Sequence, residues 1–165
     1  MPSDRATELV ARLEAAAARL LDVIARLDDG DWHAAPVAGE WSIGRELEHV
    51  AEAAGYHRWI VRLTIGEKVG SRRPVLERRE LLPQASRDEV ATRLRQETNE
   101  SATLIGRLSG EQLSLATRPP RARDPGLAET IERVLIGHYD AHRMGIEGKL
   151  RAIDESDGPP RSGEA

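Results

Sequence analysis

Apolar residues recur three or four positions apart in four stretches of the chain, a spacing that predicts four amphipathic helices. The first covers residues 4–27, where Leu9, Leu13, Leu20, Ile24 and Leu27 make one stripe and Asp28, Asp29 and Gly30 form the stop. The second follows Trp41, with Ser42 as N-cap and Ile43, Leu47, Val50, Ala54 and Val61 on its apolar face, and ends near Ile65 and Gly66. A capping box, Ser86-Arg87-Asp88-Glu89, opens the third, which carries Val90, Leu94, Leu104 and Leu108 and ends near Gly110. The fourth starts at Asp124-Pro125, a pair suited to the N-cap and first helical position, passes through Ile131, Leu135 and Ile146 and stops at Gly148.

Between the third and fourth helices lie a capped turn, Ser109-Gly110-Glu111-Gln112, and a breaker at Pro119-Pro120. Four helices with apolar stripes predict an all-α four-helix bundle over residues 1–153, and the polar, Pro- and Gly-containing stretch 154–165 is expected to be a disordered tail. The connection 67–85 is longer than bundles need, as a crossover or a lid would be. Its Arg72, Arg73, Arg78 and Arg79 are expected to be solvated charges rather than an anion site.

Composition narrows the chemistry. With 165 residues the chain is the length of one domain that buries a continuous core, and with no Phe that core must be Leu, Ile, Val and Ala. The absence of Cys excludes disulfides, thiolate metal sites and a cysteine nucleophile, so any metal here sits on nitrogen and oxygen. Acidic and basic side chains are intermixed, with a net charge of -4, which gives no electrostatic footprint for nucleic acid. No signal-peptide pattern stands near Met1 and no apolar run approaches the roughly 18 residues of a membrane span, so a cytoplasmic protein with no membrane contact is expected.

Of the five histidines, His138 and His142 stand one turn apart on the fourth helix. At about 100° per residue, positions 131, 135, 138 and 142 fall in a narrow arc, so both imidazoles are expected on the core-facing stripe. Two buried rings without partners would be costly, whereas a shared metal ion gives them one. A third ligand must come from elsewhere, and the second helix offers both His49, on the edge of its stripe with Glu46, Ala53 and Tyr56, and His57, near the stripe's centre. Periodicity does not choose between them. His33 is expected to be exposed, and Trp32 and Trp41 to pack the end of the bundle.

Trp41-Ser42, His49 eight residues after that tryptophan, and His138-x-x-x-His142 on the last helix together resemble the DinB-like (YfiT-like) superfamily of four-helix metalloenzymes, over about the first 150 residues. The resemblance implies a four-helix bundle with a long connection between its second and third helices, and a divalent ion, nickel or zinc, on His49, His138 and His142. His57 is then a neighbour of the site or part of the core. Relatives often carry an acidic residue four positions after the tryptophan; here that position is Arg45, with Glu46 next to it.

Three neutral imidazoles leave a bound ion with its full charge and an open position, the arrangement of catalytic sites. Tyr139 follows His138 where the helical metalloprotease motif has Glu, which argues against a peptidase, and Asp140 is expected on the far side of the helix. Glu46 and Tyr56 are the candidates for proton handling. Family members that use bacillithiol or mycothiol imply a thiol-dependent transferase acting on a small electrophilic substrate, with the thiol arriving as cosubstrate. The other readings are a metal-dependent hydrolase of a small ester or amide, and a non-catalytic metal-binding or stress-response module. A homodimer is common among such relatives.

Overall fold

In a computed structural model the protein is described over residues 3–71, 80–118 and 126–157. Helix α1 (Asp4–Arg26) is capped by Ser3, whose Oγ accepts from the Ala6 amide at 3.1 Å, and the whole predicted stripe from Leu9 to Leu27 is buried. The chain does not simply stop after it. Asp28 caps a five-residue helix, α2 (Asp29–His33), through a reciprocal capping box with Asp31, so the expected breaker is a second, shorter helix start. Helix α3 (Ile43–Thr64) begins at Ser42 as expected, and Gly66 follows it at φ 84°, the left-handed conformation that glycine adopts without strain.

Helix α4 (Arg87–Ile105) carries the predicted Ser86/Glu89 capping box but ends before Gly106, and α5 (Gly110–Leu113) occupies the capped turn at Ser109. The last rod is built from α6 (Leu127–Thr130), a π-helical segment (Ile131–Ile136) and α7 (Gly137–Asp157). Its N-cap is Gly126, without a side-chain cap, and the entry is fixed instead by the Leu127 amide donating to the Leu115 carbonyl at 2.9 Å. Asp124-Pro125, expected to open this helix, lies outside the described residues, as do Arg72, Arg73, Arg78, Arg79, Pro119 and Pro120.

Gly148 does not end the rod, contrary to the sequence expectation. Glycine in a helix costs about 1 kcal/mol relative to alanine. That cost is small beside what Ile146, fully buried, and Leu150 and Ile153, packed against the core on either side of it, contribute. The helix therefore continues through residues 154–157 of the expected tail, and residues 158–165 lie outside the described residues.

Helix α1 packs on α4 and α7, and α3 packs on the same two, so α1 and α3 face each other across the diagonal of a four-helix bundle. The core is aliphatic, as the absence of Phe requires, with Trp32 and Tyr139 as its aromatic members. Among the described residues no helix is long and apolar enough to cross a membrane. Trp32, only 4% exposed, lies on the first turn of α3, where a Cβ at Gly44 would come within 2.5 Å of its ring and 2.7 Å of its carbonyl oxygen. That close approach positions the N-terminal end of α3. Gly44→Ala is therefore expected to destabilise the fold by about 1–3 kcal/mol through overpacking, read as a lower urea midpoint at unchanged m-value.

Candidate metal centre

His49 sits in the second turn of α3, and His138 and His142 in the first two turns of α7. Their rings gather at one point. Centroids are 4.4 Å apart for His138–His142 and 5.4 Å from His49 to each of them. Each ring offers a nitrogen that lies within 4.8 Å of the other two. The two rods thus bring together the three histidines that the sequence resemblance singled out. His57 stands beside them, its ring edge-on to His138 at 5.1 Å, but outside the trio.

The π-helical segment explains how the pair on α7 reaches this place. It bonds Gly137 N–H back to the Glu132 carbonyl, five residues away, and so inserts one residue into the helical register. A stripe that begins at Ile131 and Leu135 would otherwise continue through positions 138, 142 and 149. After the insertion the core stripe passes to Tyr139 and Ile146, both 0% exposed, and on to Leu150 and Ile153. His138, His142, Gly145 and Lys149 are turned by about 100° onto its flank. The histidines are consequently half-buried at the edge of the core rather than on the core-facing stripe that regular periodicity predicted.

Electrostatics keep His49 and His138 ready to donate. Burial, followed by the charges of His142 and Arg45, pushes the His49 imidazole down to about 4. Burial, then its three histidine neighbours, pushes His138 down to about 3. Both rings are neutral at pH 7. The Nδ1 of His49 and the Nε2 of His138 are buried without a hydrogen-bond partner, a condition that costs on the order of 1–3 kcal/mol per group. The Nδ1 of His142 is hydrogen-bonded at 2.8 Å to Oε1 of Glu46, which leaves its Nε2 as the donor atom. Two partnerless nitrogens and a third oriented by a carboxylate fit a divalent ion that prefers nitrogen ligands, such as zinc or nickel.

Around the trio the remaining side chains are fixed. Trp41 packs on His49 with centroids 4.9 Å apart, and the Arg45 guanidinium lies 5.2 Å from the Trp41 ring centroid. Arg45 is fully buried and pairs with Glu48 at 3.2 Å and Glu52 at 3.6 Å. Burial pushes the Glu46 carboxyl up, but hydrogen bonds from His142 and Lys149 outweigh it and hold the group below the ordinary carboxylate range. Tyr56 stacks on Trp59 at 5.6 Å and meets His57 at 6.1 Å, away from the trio. Asp140 takes a hydrogen bond from Arg19 of α1 at 3.0 Å, on the side of α7 that faces α1, and His33 is exposed.

The sequence pattern of the DinB superfamily matches residues 12–143, from within α1 to just past His142. The chain belongs to the DinB superfamily. A search of curated proteins finds no match. Among solved structures this DinB-superfamily chain is similar to YfiT from Bacillus subtilis, described as a probable metal-dependent hydrolase with an unusual four-helix bundle topology. The TM-score is 0.73 at 15% identity over 93% of this chain and 90% of YfiT, a likeness of fold.

Sequence reasoning noted Arg45 only as a departure from the family pattern, without its contacts to the site, and missed Lys149. Each carried a signal in its spacing, Arg45 one turn before His49 and Lys149 two turns after His142 on the same helical face.

The depressed imidazoles set the pH response of the metal-free protein. Unfolded histidines take up protons near pH 6.5, while folded His49 and His138 resist until about 4 and about 3, so stability is fully present above pH 6.5 and is lost as pH falls through that window. Melting temperature should decline from pH 6.5 to 4, and the decline should be shallower in His138→Gln; equal slopes for the two proteins would contradict the assignment.

Proposed function

We propose that this DinB-superfamily protein is a metal-dependent enzyme in which a divalent ion on His49, His138 and His142 activates a small nucleophile against an electrophilic small molecule. The observation that carries the reading is the ligand set. Three imidazoles converge, and among the described residues no further His, Cys, Asp or Glu completes the group, so a tetrahedral ion would keep an open position. Such an ion, when bound, supplies Lewis acidity and lowers the pKa of a coordinated water or thiol.

The chain's own residues supply orientation and a half-buried setting. Trp41 covers one face of His49, and Glu46 fixes the ring of His142. Glu46, the first candidate for proton handling, has Oε1 engaged by His142 and Oε2 by Lys149, so it serves to position rather than to move protons. Tyr56, the second candidate, stands beside His57, one ring removed from His138.

Two nucleophiles suit the site. A low-molecular-weight thiol makes the protein an S-transferase, in keeping with a chain that has no cysteine of its own. Water makes it a hydrolase of a small ester or amide, the reading favoured by the likeness to YfiT. Zinc- or nickel-loaded protein is therefore expected to consume electrophiles or esters faster than the free ion, with a thiol-dependent rate for transfer and a thiol-independent rate for hydrolysis. Failure on both panels would leave a non-catalytic metal-binding module.

Metal occupancy has a separate readout. Because an ion that binds only the folded state adds about 2.7 kcal/mol at a hundredfold excess over its Kd, chelation should lower the melting temperature of the loaded protein. His138→Ala should abolish that response; an unchanged response in His138→Ala would remove this residue from the ligand set.

A further inference from the structure

Lys149 contacts a neighbour of each half of the histidine cluster without touching the rings themselves. Its Nζ donates to Oε2 of Glu46 at 2.8 Å and to the main-chain carbonyl of Trp41 at 3.0 Å. Through Glu46 it reaches His142, whose Nδ1 lies 2.8 Å from the other carboxylate oxygen. Through Trp41 it reaches His49, because that tryptophan ring packs on the His49 ring. Among the described residues Glu40, at 3.9 Å, is the further carboxylate paired with the ammonium, and its side chain is 54% exposed.

Each member of this chain is held where a small displacement would matter. Glu46 is only 8% exposed, so an unpartnered carboxylate there would be unfavourable, and both its oxygens are in use. Gly145 lies between His142 and Lys149 on the same face of α7, and a Cβ there would stand in van der Waals contact, 3.4 Å from Oε1 of Glu46. With α7 running through Gly148, Lys149 stands two turns beyond His142 on that face.

We propose that Lys149 is a positioning residue for the metal centre, locking Glu46 onto Nδ1 of His142 so that Nε2 of that ring presents its lone pair to the ion. The proposal rests on the metal-centre reading above. Lys149 acts by restraint rather than by charge: an ammonium near the site opposes binding of a cation, whereas a fixed Glu46 favours it by orienting the ligand and raising its basicity.

The two effects have opposite signatures in a double-mutant cycle. If Lys149 restrains Glu46, then Glu46→Gln lowers cobalt(II) or zinc(II) affinity on the order of 10- to 100-fold in the parent. The same substitution then lowers it much less in a Lys149→Met background, where Glu46 is already loose. If Lys149 only balances charge, the carboxylate is worth more to the cation once Lys149 is gone, and the cost of Glu46→Gln rises. Affinity is read by competition with a chelator, and coordination by the visible spectrum of the cobalt protein. Lys149→Arg, which keeps both the donors and the charge, is expected to behave as the parent.

A second measurement needs no variant. In the metal-free parent above pH 7, nitrogen-15 NMR of the imidazoles should find His142 as the Nδ1–H tautomer. An Nε2–H tautomer, an additive cycle, or a larger Glu46→Gln effect without Lys149 would each overturn the proposal while leaving a metal-binding parent intact. A parent that binds neither ion would overturn the metal reading and this one with it.

Discussion

Three imidazoles held within reach of one another, on two different helices, are the constraint around which the rest of this protein is organised. Left to themselves, such rings gain nothing from proximity. Burial and neighbouring imidazoles disfavour the charged forms of His49 and His138, and each of those two rings has a buried nitrogen with no partner in the protein. A cation shared among them would give the unpaired nitrogens a partner without adding a proton to either ring. The same features that make the cluster unfavourable when empty make it a strong nitrogen-donor site, because no proton has to be displaced from His49 or His138 at neutral pH.

Convergence of this kind demands that α3 and α7 be set against each other with little freedom. Gly44 admits Trp32 onto the first turn of α3 and fixes that helix at its N-terminal end. The π-helical segment shifts the register of the last rod by one residue, which gives the core Tyr139 and Ile146 and moves the histidines to the flank. A buried hydrogen bond between Tyr139 and Thr98 of α4, 3.2 Å long, secures the opposite side of the same turn. The histidines are thus aimed by the residues next to them in sequence, each of which packs elsewhere.

Charge around the cluster is arranged in two groups. On α3, the buried Arg45 pairs with Glu48 and Glu52 and lies over the Trp41 ring. At the junction of α3 and α7, Glu46 lies between His142 and Lys149. The chain with arginine four residues after its tryptophan still places a carboxylate against the histidine cluster, one position later. Buried ion pairs of this sort add little net stability, and what they supply here is orientation of the rings they touch.

Much of this was legible from the amino-acid order. The stripe of α1, the Ser42 and Ser86 caps and the aliphatic core follow from spacing and composition, because amphipathic periodicity and capping are local properties. The candidate trio was legible too, although periodicity left His49 and His57 open and only the distributed tryptophan–histidine pattern favoured His49. Tertiary structure decided the rest. Whether Gly148 ends the helix depends on what Ile146, Leu150 and Ile153 pack against, and no local propensity encodes that. The π-helical register, the burial of Arg45 and the reach of Lys149 to Glu46 and Trp41 all arise from contacts between segments distant along the chain, where energy depends on which surfaces meet rather than on which residues are neighbours in sequence.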